Sequence, residues 1–345
     1  MRTNRCASFT LIGMAGIERY WYRTRLAHLF LLPVSWIFGA LAALRRMLYR
    51  TAILKSVQLN VPVIVVGNIS VGGTGKTPLT LALAQQLIAH GRHPVIISRG
   101  YGGDGCQRQV TADNTACQTG DEPLLMARRN LCPVWVGRDR VATARAALQA
   151  HPKCDVILCD DGLQHYRLRR DVEIVVIDGK RGFGNGHLLP AGPLREPVAR
   201  LNRVDAVIIN GENSINNFNN QYMMKLCGDI FYNLRYPEKT ISASMLQGLN
   251  LHAVAGIGNP QRYFDHLKAL GLAVTPHAFP DHHPYQAGDL AYSGCDALLL
   301  TEKDAVKCAA FADDSFWVLR VDAQIDPALT AHILRKIATH GCKTA

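Results

Sequence analysis

The run Gly72-Gly73-Thr74-Gly75-Lys76-Thr77 sets the strongest constraint on what this 345-residue chain can fold into. It directly follows an apolar stretch, PVIVVG at Pro62 to Gly67, and opens a helical one at Thr77 to His90. Strand, glycine loop and helix in that order form a P-loop, a ready anion site. Glycines let backbone N–H groups approach phosphates, Lys76 brings a mobile positive charge, and the Thr77 hydroxyl can ligate Mg²⁺. Ser70 stands where the strict GxxxxGK[ST] pattern has its first glycine.

The segments around this loop predict a parallel sheet. Further buried strands are expected at Pro94 to Ser98, Pro133 to Val136, Asp155 to Cys159, Val172 to Ile177 and Asp205 to Ile209. They alternate with helices near Glu122 to Arg129 and Asp139 to Ala150, and their continuous apolar character suits strands covered on both faces. The Asn-rich stretch Gly211 to Asn220 interrupts the pattern. Beyond it a second α/β run follows, with strands at His252 to Ala255, Ala273 to Phe279 and Ala297 to Leu300 and helices at Gln261 to Leu270, Glu302 to Phe311 and Pro327 to Thr339. The expected fold is α/β: a P-loop NTPase-type parallel-sheet domain over 56–230, a smaller α/β domain over 231–345 that closes a cleft, and membrane-associated N-terminal helices over 1–55.

That N-terminal expectation rests on Leu29 to Leu44, an uncharged run of 16 residues. As a helix it reaches about 24 Å, short of the roughly 30 Å of bilayer hydrocarbon. Arg19, Arg23 and Arg25 precede it, Arg45, Arg46 and Arg50 follow it, and Tyr20, Trp21, Tyr22 and Tyr49 add rings suited to the headgroup level. Charge on both flanks argues for a helix lying in the interface. The net charge of +11 favours polyanions, an anionic membrane surface among them. The 10 cysteines include no CxxC pair, which points to a reducing compartment, with Cys154 and Cys159 as core thiols.

Other positions carry chemistry. Asp160 and Asp161 stand at the C-terminal end of the apolar strand Asp155 to Cys159, where P-loop proteins keep the acid that holds Mg²⁺. Gln164, His165 and Arg167 follow at once and can face nucleotide or acceptor. Asp121, beside Glu122, reads either as a helix cap or as a base on an acceptor hydroxyl. Asp281-His282-His283 in the second half can meet it across the cleft. Spacing alone leaves those roles open.

These pieces in this order resemble the tetraacyldisaccharide 4'-kinase family. The resemblance is carried by LLPVSWIFG (Leu31 to Gly39), VVGNISVGGTGKTP (Val65 to Pro78), SRGYGG (Ser98 to Gly103), GDEP (Gly120 to Pro123), DDGLQHYRL (Asp160 to Leu168), FGNGHLLPAGPLREP (Phe183 to Pro197), AGIGNPQRYF (Ala255 to Phe264) and TEKDAVKC (Thr301 to Cys308). The family's pattern tolerates a non-glycine at Ser70. The resemblance implies transfer of the ATP γ-phosphate to the 4'-hydroxyl of a tetraacylated glucosamine disaccharide 1-phosphate, with ATP and Mg²⁺ as cofactors, at the cytoplasmic face of a bacterial inner membrane. It also implies that Asp121 and His282 form the base. Gly72, Gly73, Thr74, Gly75, Lys76 and Thr77 would then bind nucleotide, Thr77, Asp160 and Asp161 the metal, and Arg99, Gln164, His165 and Arg195 the acceptor. Neither a nucleic-acid partner nor an obligate protein partner is implied. Residues before Met14 have no counterpart in the pattern and read as an extension or a misplaced start. A regulatory P-loop switch is the rival reading, but Val71 replaces the lysine of KGGxGKT, and Lys303 stands one place late for a guanine-reading TKxD.

Overall fold

The structure, a computed structural model, describes Trp21, residues 27–211 and residues 218–339. The arginines and tyrosines expected to flank the apolar run on its N-terminal side, the first 13 residues and most of the Asn-rich interruption lie outside these. In chain order the strands are β1 (Val63–Gly67), β2 (Pro94–Ser98), β3 (Arg108–Val110), β4 (Val134–Val136), β5 (Val156–Asp160), β6 (Val172–Asp178), β7 (Ala206–Asn210), β8 (Gln221–Cys227), β9 (Ile230–Asn233), β10 (Thr240–Ser242), β11 (Leu251–Ala255), β12 (Val274–Ala278), β13 (Ala297–Thr301), β14 (Phe316–Leu319) and β15 (Asp322–Ile325). The principal helices are α1 (Ala27–Arg50), α2 (Lys76–Ala89), α3 (Asp121–Arg128), α4 (Arg140–Ala150), α5 (Pro260–Ala269), α6 (Glu302–Cys308) and α7 (Pro327–Ala338).

A large sheet runs β15-β8-β7-β6-β1-β5-β2-β4-β3, parallel except for its two edge strands, β3 and β15. A small sheet runs β10-β9-β14-β13-β11-β12, with the last four strands parallel. The central strands β1, β2, β5 and β7 are buried at every position, which is why they read as unbroken apolar runs. Apolar layers cover both faces of the large sheet, one around Leu79, Leu83 and Leu158, the other around Val65, Ile97 and Ile157.

The division at residue 230 needs correction. After completing the small sheet the chain returns: β15 pairs antiparallel with β8 of the large sheet, and Leu329, Ile333 and Ile337 of α7 join the large-sheet core. The sequence misplaces these elements because DAQI is short and alternates in polarity, so nothing local states which sheet it will edge. β8, β9, β10 and β14 are likewise absent from the sequence reading, being short or only half-buried.

Helix α1 is a single helix through Pro33, and one face of it docks on the loop at residues 183–197. Ser35 Oγ donates to Leu188 O at 2.9 Å and accepts from Ala191 N at 3.0 Å. Arg46 Nη1 reaches the buried Glu196 at 3.1 Å. The opposite face stays open, with Phe30 at 87% exposure, Trp36 at 69%, and Ile37 and Leu41 each at 61%. Residues Phe30–Arg50 are long and apolar enough to cross a membrane by length and composition.

Candidate active site

The glycine loop leaves β1 and enters α2 through Gly75, which is left-handed at φ 98° and gives that helix no side-chain cap. The first N–H groups of α2 therefore lack a capping side chain and face the loop, a favourable place for an anion. A Cβ on Gly75 would lie 2.4 Å from Asn210 Nδ2, which donates to Thr74 O at 2.8 Å and so clamps the loop from the end of β7. On the other side Val71 N donates to Pro193 O and Arg195 N to Ile69 O.

Strand β5 lies beside β1 with Asp160 in register with Val66, so the acid pair emerges next to the loop. Asp160 is fully buried. Its Oδ1 accepts from Thr80 Oγ1 at 3.1 Å, whereas its Oδ2 has no hydrogen-bond partner. Burial first, then the neighbouring Glu122 charge, push its carboxyl up to about 7. Asp161 stands 3.6 Å from Lys76 Nζ and 3.7 Å from Arg195 Nη1. Burial works against its charge, but Lys76, Arg195 and Arg140 outweigh it and hold the carboxyl below its ordinary range. A buried carboxylate oxygen without a partner, followed in the chain by a second acid, fits a hard cation. Among the described residues no group of three or more His, Cys, Asp or Glu could hold a metal, so the fit is to an ion completed by phosphate oxygens and water.

Asp121 is the first residue of α3, yet its side chain caps nothing there. Its Oδ2 instead meets His282 Nδ1 at 2.9 Å, joining the two halves of the molecule. The Tyr101 ring packs against His282 at 5.2 Å, and His282 itself is left-handed at φ 61°. His283 turns away to Asp289 at 3.3 Å. Beside the loop opens a cleft of about 330 Å³, lined by Gly73 to Thr77 on one side and by Ile257 to Asn259, Tyr263 and Thr301 to Lys303 on the other. Pro78, Leu81, Leu125, Leu319 and Val321 make part of its wall apolar.

Of the expected acceptor contacts, Arg195 stands at the acid pair, 32% exposed. Glu196, its sequence neighbour, is taken up by Arg46, Gln164, Tyr166 and Arg200. Gln164 is engaged by Asn68 O and Glu196, His165 is half-buried with Nε2 unpartnered, and Arg99 is exposed after β2. Sequence reasoning missed Asn210, Arg262 and Lys303 as site residues. Arg262 bonds Asp178 at 3.3 Å and Asn210 Oδ1 at 3.0 Å, and Arg181 Nη2 donates to Gly258 O at 2.7 Å, tying the cleft shut at one end. The motifs NPQRYF and TEKDAVKC were the available signal.

An uncapped helix start for phosphates, a buried acid within reach of it and an apolar slot suited to a base belong to the α/β kinases, and this protein falls in that class. The chain belongs to the tetraacyldisaccharide-1-P 4'-kinase family, whose model matches residues 27–338. It is 52% identical over 333 residues to the tetraacyldisaccharide 4'-kinase of Azoarcus sp. (strain BH72), covering 95% of this chain and 97% of that one. The enzyme of the same name from Methylobacillus flagellatus is 50% identical over 322 residues, covering 93% and 95%. The fold is similar to the solved "apo" form of LpxK from Aquifex aeolicus in complex with ATP, with TM-score 0.77 and 29% identity over 90% of this chain and 100% of that one.

Proposed function

We propose that the protein transfers the γ-phosphate of ATP to the 4'-hydroxyl of tetraacyldisaccharide 1-phosphate. The observation that carries this reading is the 2.9 Å contact between Asp121 and His282, a carboxylate–imidazole pair that joins the start of α3 to the segment after β12, with Glu122 and Lys303 beside it lining the cleft at the glycine loop. A sugar hydroxyl is a weak nucleophile at neutral pH. Asp121, with Oδ2 held by His282, keeps Oδ1 to accept the hydroxyl proton as the new O–P bond forms and ADP leaves. Lys76 and the N–H groups of Gly72 to Thr77 steady the phosphates. Thr77, Asp160 and Asp161 would hold Mg²⁺, which supplies charge neutralisation to the phosphate oxygens when bound. Arg195 is suited to an acceptor phosphate or sugar oxygen by its forked donors.

The acceptor is a lipid, and the open apolar face of α1 stands next to the loop that carries Arg195. That supports a peripheral, monotopic seat at the cytoplasmic face of the inner membrane, with acyl chains against the helix and the sugar offered to the cleft. Two working units follow, the small sheet closing on the large one, so that the base is complete only with the cleft shut. The test is incubation with γ-labelled ATP, Mg²⁺ and tetraacyldisaccharide 1-phosphate in detergent micelles. Label appearing at the 4'-position supports the reading. ATP hydrolysis indifferent to acceptor would overturn it in favour of a regulatory switch.

A further inference from the structure

The dyad histidine has a second neighbour. Lys303, near the start of α6 in TEKDAVKC, places its Nζ 3.4 Å from His282 Nε2, the nitrogen that Asp121 does not touch. The same ammonium bonds Asp281 Oδ1 at 2.9 Å and Glu122 Oε1 at 3.3 Å. We propose that Lys303 is a positioning residue of the Asp121–His282 pair, fixing His282 as the Nδ1–H tautomer so that Asp121 remains the base. This inference rests on the dyad reading above.

The argument is one of donors and acceptors. An ammonium can only donate, so the ring nitrogen facing it must be the acceptor. Nδ1 then carries the hydrogen, which points at Asp121 Oδ2. With Nε2 occupied in this way, His282 is barred from taking the substrate proton, and its part is to orient the carboxylate. Burial works against the Lys303 charge, but Glu122 and Asp281 outweigh it and hold the ammonium above the ordinary lysine range. It therefore stays charged wherever the enzyme works. The charged and polar groups facing the ring are Asp121 and Glu122 from α3, Asp281 with Oδ1 at 3.9 Å from Nε2, Lys303 from α6, and the Tyr101 ring. Lys307, also on α6, stands 3.9 Å from Asp121 Oδ2.

Taking Lys303 away removes a positive charge from Nε2 and uncovers two carboxylates. Both changes favour the imidazolium, which would lower the basicity of Asp121. In Lys303→Met the acid limb of the kcat profile should therefore move up by about one pH unit, with loss of activity near neutrality and recovery in base. Lys303→Arg keeps the charge and should keep the limb in place, whatever its kcat. Independently of any variant, ¹⁵N NMR of the histidine-labelled wild-type enzyme should show His282 as Nδ1–H with bare Nε2 at pH 7.5 to 8. A protonated Nε2, or a Lys303→Met enzyme that loses the same fraction of kcat at every pH or only raises the KM for ATP, would overturn the proposal. Asp121→Ala and His282→Ala run beside these keep the two readings apart: if those variants retain wild-type kcat, the dyad itself is wrong. If they are crippled and the limb does not move, only the role of Lys303 fails.

Discussion

In the proposed reaction Lys76 is the residue that serves the phosphates. Its ammonium lies by Asp161 at the lip of the cleft and takes no part in the apolar core, so Lys76→Ala should keep the fold while kcat falls by about 10²-fold or more. A variant with near-wild-type turnover would remove the loop from the mechanism. His165 makes a different prediction. Burial, then the charge of Arg140, press its pKa down to about 4 from 6.5. A histidine that stays neutral when folded but takes a proton when unfolded leaves stability intact above pH 6.5, and stability drains as pH falls from there toward 4. The full shift corresponds to roughly 3 kcal/mol, which solvent screening of this half-buried ring reduces to about 2 kcal/mol or less, and His165→Gln should flatten that part of a Tm-against-pH curve. An unchanged slope would show that other groups set it. The placement of Asp160 and Asp161 beside the Lys76 loop was legible in the sequence because each belongs to a contiguous motif whose context is one strand and one turn. Asn210 and Arg262 were not: one clamps Thr74 from 136 positions away, and the other reaches Asn210 across 52. No local pattern encodes such contacts.

Among the elements, α1 shows what patterning can and cannot say. Its apolar run foretold a helix with an apolar face, and that face is exposed, but the seat of the other face, through Ser35 to Leu188 and Arg46 to Glu196, joins segments 150 or more residues apart. The exposed Trp36 and Ile37 should each contribute roughly 1.5–3 kcal/mol when buried in an interface. Trp36→Glu with Ile37→Glu should then weaken sedimentation with anionic vesicles by more than about tenfold. Equal partitioning of variant and wild type at high salt would place the membrane contact elsewhere. Strands such as β1 and β5 were legible for the opposite reason to α1: buried on both faces, they are apolar at every position. The edge strand β15, alternating and short, could not announce its partner β8.

At the scale of the whole molecule, the return of β15 and α7 to the large sheet means that the chain crosses between the two halves twice, so the small sheet is an insertion held at both ends. Arg262 then matters as a tie across the cleft. Arg262→Ala should raise the KM for ATP several-fold with little effect on acceptor KM, since its bonds to Asp178 and Asn210 brace the wall beside Thr74. The reverse pattern would assign that wall to the acceptor. In the proposed mechanism the base is divided between halves, a carboxylate from α3 and an imidazole from the segment after β12, so that an open cleft would separate the two and limit idle ATP hydrolysis. The central claim is that Asp121 and His282 act as one unit, and a double-mutant cycle on acceptor-dependent kcat tests it most directly. Asp121→Ala and His282→Ala should each cost about 10²-fold or more, and the double variant should be little worse than either alone. Losses that multiply, or a His282→Ala enzyme with wild-type kcat, would contradict it.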